Sequence, residues 1–119
     1  MLAYYDTLTS ANTMILNPKT LKFANTQQTC LVSAEAIEFH SSLSGAGILE
    51  WEGTTNSAFF IMGVGTGSSG MGGLYPDAPA ATGNINFRTI NVSPNDSVSF
   101  TLTVRKQSGA GFANTASWY

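Results

Sequence analysis

Few side chains in this sequence are of a kind that does chemistry, and spacing alone tests each of them. Glu50 and Glu52 lie two apart in Ile48-Leu49-Glu50-Trp51-Glu52. On an extended strand alternate side chains share a face, so both carboxylates project the same way. Glycosidases work with two carboxyl groups roughly 5 to 10 Å apart, and such neighbours are about 7 Å apart. The same alternation sends Trp51 inward and leaves the glutamates on a solvated face, so no glycosidase is expected. His40, the one histidine, can be drawn into a triad with Glu38, Asp6 or a serine. No Gly-x-Ser-x-Gly elbow accompanies it, and a surface histidine at a strand end is expected instead. Cys30, the one cysteine, sits in the apolar run Thr29-Cys30-Leu31-Val32. It is expected to be a buried, reduced, structural thiol, not a nucleophile for His40 to activate.

Gly65-Thr66-Gly67-Ser68-Ser69-Gly70 fits G-x-G-x-x-G. That fingerprint binds a pyrophosphate only where a helix begins, because the helix N-terminus holds the anion. Met71-Gly72-Gly73-Leu74-Tyr75-Pro76 follows and cannot start one, and no lysine stands where a P-loop needs it. Asp77, Asp96 and the asparagines lack the spacing of a calcium loop. One cysteine excludes a cysteine-built zinc site. The expectation is a protein that is not an enzyme and takes no cofactor and no metal.

The elements follow a period of two. In Ser97-Val98-Ser99-Phe100-Thr101-Leu102-Thr103-Val104-Arg105, the apolar residues alternate with hydroxyl and charged ones, the mark of a half-buried strand. Ser93-Pro94-Asn95-Asp96 is a turn before it. Asn84-Ile85-Asn86-Phe87 and Ile90-Asn91-Val92 alternate in opposite phases, which predicts a β-bulge or bend at Arg88-Thr89. Together residues 84–106 read as one antiparallel hairpin. Met14-Ile15-Leu16 and Leu21-Lys22-Phe23 flank the turn Asn17-Pro18-Lys19-Thr20 and read as paired strands. Gln28 to His40 is extended but carries two phases: Leu31, Ile37 and Phe39 in one, and Cys30, Val32, Ala34 and Ala36 in the other. A short helix over Ser33 to Phe39 is the competing reading. Ile48 to Glu52 alternates, Gly53 to Ser57 turns, and Ala58 to Met62 is an apolar strand, buried on both faces or at a subunit contact. Gly63 to Thr82 holds six of the twelve glycines, two of the four prolines and a single charge, Asp77. It reads as a long loop that orders against a partner through Met71, Leu74 and Tyr75. The fold expected is all-β: one domain over residues 1–119, a single antiparallel β-sandwich or jelly roll of about seven or eight short strands with one long Gly-rich loop.

Composition narrows the function. Among 119 residues, 43% are apolar and only 10% charged, against about 25% charged in an average domain. Ser, Thr, Asn and Gly supply 13, 14, 9 and 12 residues, so hydroxyls, amides and glycines make the polar surface. A net charge of -2 offers no field for a phosphate backbone, so no nucleic-acid partner is expected. No apolar run reaches the roughly 18 residues of a membrane helix, and no membrane partner is expected. The N-terminus, Met-Leu-Ala-Tyr-Tyr-Asp, lacks the basic and apolar regions of a signal peptide, so synthesis in a cytoplasm is expected. Tyr4, Tyr5, Trp118 and Tyr119 put large aromatics near both ends. Burying such a side chain contributes roughly 1.5 to 3 kcal/mol, on the domain itself or on a neighbouring subunit. Tyr4, Tyr5, Met71, Leu74, Tyr75, Trp118 and Tyr119 are therefore the expected partner interface.

A charge-poor β domain of this composition with aromatic ends resembles the small β-rich structural proteins of tailed phages, of the capsid decoration (cement) or head-fibre type. The resemblance lies in composition and strand pattern along the whole chain, so it carries over no individual residue. It implies a virion protein made in the host cytoplasm. Its partner would be the major capsid protein or another virion protein, and it would form a homo-oligomer, a trimer or dimer, that bridges neighbouring capsomers. A carbohydrate- or receptor-binding β-sandwich is the alternative, with Trp51, Tyr75 and Trp118 as sugar platforms. A small hydrolase would need a site that the sequence does not offer.

Overall fold

A computed structural model describes residues 2–7, 12–21, 24–25, 27–93, 95–107 and 111–112, with backbone alone for 2–7, 12 and 13. Eight strands are described: β1 Leu2–Thr7, β2 Asn12–Leu16, β3 Val32–Ser41, β4 Ala46–Trp51, β5 Ser57–Met62, β6 Gly65–Leu74, β7 Ile85–Ile90 and β8 Ser97–Lys106. A 3₁₀ turn at Pro18–Thr20 is the one helical element among the described residues. Asn17 caps it, its side chain accepting from the Lys19 N–H at 3.1 Å. All pairings are antiparallel, and the sheets run β1-β8-β3-β6 and β2-β7-β4-β5. Such an order arises when a long ribbon, pairing β1 with β8, β2 with β7, β3 with β6 and β4 with β5, rolls up on itself. Rolling brings β3 against β8 and β4 against β7. This is the eight-stranded jelly roll.

The core lies between the sheets. Phe87 of one sheet meets Phe100 of the other with ring centroids 5.4 Å apart, and Phe39 meets Phe60 edge-on at 5.8 Å. Trp51 is buried and stacks on Phe59 at 4.3 Å. The two phases of the 28–40 segment are both real. Ala34 faces Val104 and Ala36 faces Thr103, so Glu35 is the extra residue of a β-bulge. Before it Val32 and Ala34 point inward, and after it Ile37 does. One inserted residue shifts the alternation by one, and no helix forms over Ser33 to Phe39.

Four sequence expectations are corrected here. Residues 84–106 are not a hairpin: β7 and β8 lie in different sheets, and their connection crosses the end of the sandwich. No bulge breaks β7 at Arg88-Thr89, which stays in register with β4 as far as Ile90 opposite Ala46. The change of phase is Ile90 itself, an apolar residue on the outward face with Arg88, and Asn91 turns the chain after it with a left-handed φ of 55°. Met14 to Leu16 pairs with β7 and not with the segment after the turn, of which Lys22 and Phe23 lie outside the described residues. The Gly-rich stretch is not one long loop either. Residues 65–74 of it form the strand β6, and Gly63, Val64 and the part after Leu74 are irregular.

The crossing between sheets is pinned by Asp96. One carboxylate oxygen accepts from the backbone N–H and hydroxyl of Ser44 (2.8 and 2.7 Å) and from the N–H of Ser93 (2.8 Å). The Ser44 N–H, then the Ser93 N–H and the Ser44 hydroxyl, hold the Asp96 carboxyl below its ordinary value against an opposing effect of burial. A depressed folded pKa stabilises the fold fully above the unfolded value of about 3.9. That contribution is lost as pH falls through the lower folded value. Asp96→Asn should therefore lower the melting temperature at neutral pH and flatten its fall in acid. Parallel melting curves of the variant and the native chain from pH 7 to pH 2 would count against this role.

Candidate interaction faces

Each sheet turns one face to solvent, and the two faces differ. On the β1-β8-β3-β6 sheet, cross-strand rows set Ser99, His40 and Thr66 side by side, and next to them Thr101, Glu38 and Ser68. His40 is exposed, and its Nδ1 lies 3.1 Å from the Thr66 hydroxyl. A shallow hollow of about 380 Å³ opens here, lined by His40, Ser42, Val64, Thr66, Ser97 and Ser99 among others. It is a hydroxyl surface with one imidazole and one nearby carboxylate. No hydrogen bond joins His40 to Glu38, so Glu38 does not orient the imidazole as the acid of a triad would. Asp6 stands opposite Val98 on β1, in the neighbouring row to His40.

The outer face of the β2-β7-β4-β5 sheet is apolar at its rim. Met14, Asn86, Glu50 and Ala58 form one cross-strand row, Arg88, Ile48 and Ile61 the next, and Ile90 and Ala46 a third. Met14, Ile61 and Ile90 are 53%, 63% and 40% exposed, whereas Ile48 between them is 5% exposed. In the same face Arg88 donates to Glu50 through Nε and Nη2 at 3.3 and 3.2 Å. Glu50 is buried under its neighbours, so it lies on the outward face expected for it but not in water. Its anion is matched by the guanidinium. Glu52 accepts from Thr82 and Asn84 at 2.7 and 2.8 Å. The two carboxylates thus serve as anchors for different strands and loops, and neither confronts the other across a cleft.

The remaining candidates are scattered. Cys30 is fully buried, and its thiol lies within hydrogen-bond reach of the carbonyls of Asn25, Gln28 and Gly111 at 3.4 to 3.7 Å. The G-x-G-x-x-G residues form the first part of strand β6 and lead into no helix. Trp51 cannot be a sugar platform, because it is buried in the core against Phe59. Among the described residues no group of three metal-binding side chains converges. Of the expected interface, Met71 packs on the core, while Leu74 and Tyr75 are exposed at the end of β6. Tyr4 and Tyr5 stand opposite Phe100 and Ser99 on β1. Trp118 and Tyr119 lie outside the described residues. The apolar face around Ile48 was missed by sequence reasoning. Met14, Ile61 and Ile90 belong to three strands far apart in the chain, and only the register brings them together. Comparison with protein-family models, with curated proteins and with solved structures finds no match for this chain.

Proposed function

We propose that this chain is a non-enzymatic virion structural protein, of the decoration or cement type, that seats on a capsid lattice and bridges neighbouring capsomers. The observation that supports it is the outer face of the β2-β7-β4-β5 sheet: exposed Met14, Ile61 and Ile90 around a buried Ile48, with Arg88 and Glu50 neutralising one another. Apolar side chains left in water at the rim of a face, around an ion pair that is already matched, favour contact with another protein surface. A single such patch binds weakly, but many copies on a lattice bind together, and valency multiplies the affinity. The major capsid protein is the partner this reading names, and the virion its location.

The test is co-sedimentation of the purified chain with empty capsid shells. Met14→Asp combined with Ile61→Asp should reduce retention on shells more than tenfold. Both side chains are exposed, so the melting temperature should move little. Equal retention of the double variant would sink the reading. A sugar-binding role rests on the other face, where His40, Thr66, Ser97 and Ser99 line the hydroxyl hollow. Glycan binding abolished by His40→Ala, with shells ignored, would favour it.

A further inference from the structure

Among the described residues, nothing pairs with the outer edges of β5 and β6 on one side of the sandwich. From Ser57 to Leu74 the chain holds no Asp, Glu, Lys, Arg or Pro. That run forms β5 and β6, the edge strands of the two sheets. An edge strand presents unpaired backbone N–H and C=O groups, and proteins ordinarily blunt it with charge, proline or short length. β6 is ten residues long, and among the described residues only β3 pairs with it. Its register with β3 is regular from Gly65 to Gly70. Val64 at one end is 78% exposed, and Leu74 and Tyr75 are exposed at the other. Gly70 has no positive φ, and a Cβ there would meet nothing within 4 Å, so the fold itself does not require glycine.

We propose that the outer edge of β6 pairs with β6 of a second copy, antiparallel about a two-fold axis, joining two four-stranded sheets into one. The occupant follows from the edge. A surface without charge meets its own image without like-charge repulsion, as an isologous contact requires. Antiparallel pairing centred on Ser69 sets Ser68 opposite the partner subunit's Gly70, inside the stretch whose register is regular. This deepens the structural reading above by naming the surface through which copies join.

The test is solution mass by light scattering over a concentration series of the full chain. The native chain should reach twice the monomer mass at micromolar concentration. Ser68→Lys places two like charges diagonally across the pair, where they oppose pairing. It should raise the dissociation constant more than tenfold with an unchanged melting temperature. A native chain that stays monomeric, or a Ser68→Lys chain of undiminished mass, overturns the proposal. So does a dimer that only Met14→Asp with Ile61→Asp dissociates, since the copies would then meet face to face. The two readings fail separately. A monomer that still seats on shells leaves shell docking standing, and a β6-dependent dimer indifferent to shells leaves edge pairing standing.

Discussion

Gly83→Ala is expected to destabilise the fold by about 3 kcal/mol or more, from left-handed backbone strain and overpacking together. Gly83 has φ +89°, and a Cβ built on it lies 2.0 Å from the carbonyl oxygen of Cys30. The obstacle is backbone, not a side chain that can rotate away. It belongs to the segment that leads into β3, where Cys30 and Val32 are fully buried. Moving it would disturb the sheet junction beneath. Urea denaturation followed by circular dichroism measures the loss, with Gly63→Ala as the control, because a Cβ at Gly63 meets nothing. Equal midpoints for the two variants would refute the close approach at Gly83.

Trp51→Ala should cost a comparable amount, about 3 to 5 kcal/mol. Trp51 is 1% exposed, faces Ile85 across the sheet, and stacks on Phe59. Its removal takes the largest side chain from the end of the core where β4 and β7 run out. Against a total stability of roughly 5 to 15 kcal/mol, such a loss leaves a marginal domain. The same urea titration reads it, and Trp51→Phe should recover part of the loss. A Trp51→Ala chain of near-native stability would mean that the ring packs outside the core. In that case the sugar-platform reading would return.

Much of this fold is written in local alternation. β8 shows it most plainly: Val98, Phe100 and Leu102 are buried, and Ser99, Thr101 and Thr103 are not. The turns at Asn17 and at Ser93 to Asp96 were legible because their side chains satisfy backbone groups close by in sequence. Pairing was not legible. Strands adjacent in sequence most often form hairpins, yet β7 and β8 pass to opposite sheets, a consequence of the rolled ribbon that no local residue encodes. β6 was hidden for a different reason. Its glycines and serines carry no period, because the strand covers the core only through Met71 and a glycine that admits the Phe39 ring. The apolar face around Ile48 was hidden because its members come from separate strands.

The ribbon also sets when the protein can fold. Tyr4 of β1 pairs with Phe100 of β8, so the outermost pair joins strands that lie far apart in the sequence. Contacts this distant in sequence make folding slow, on the scale of milliseconds to seconds for all-β domains. During synthesis β1 waits without its partner until β8 has cleared the ribosome. Until that moment the chain is one that a chaperone would hold, and a truncation within β8 should leave the first strand unfolded along with the last.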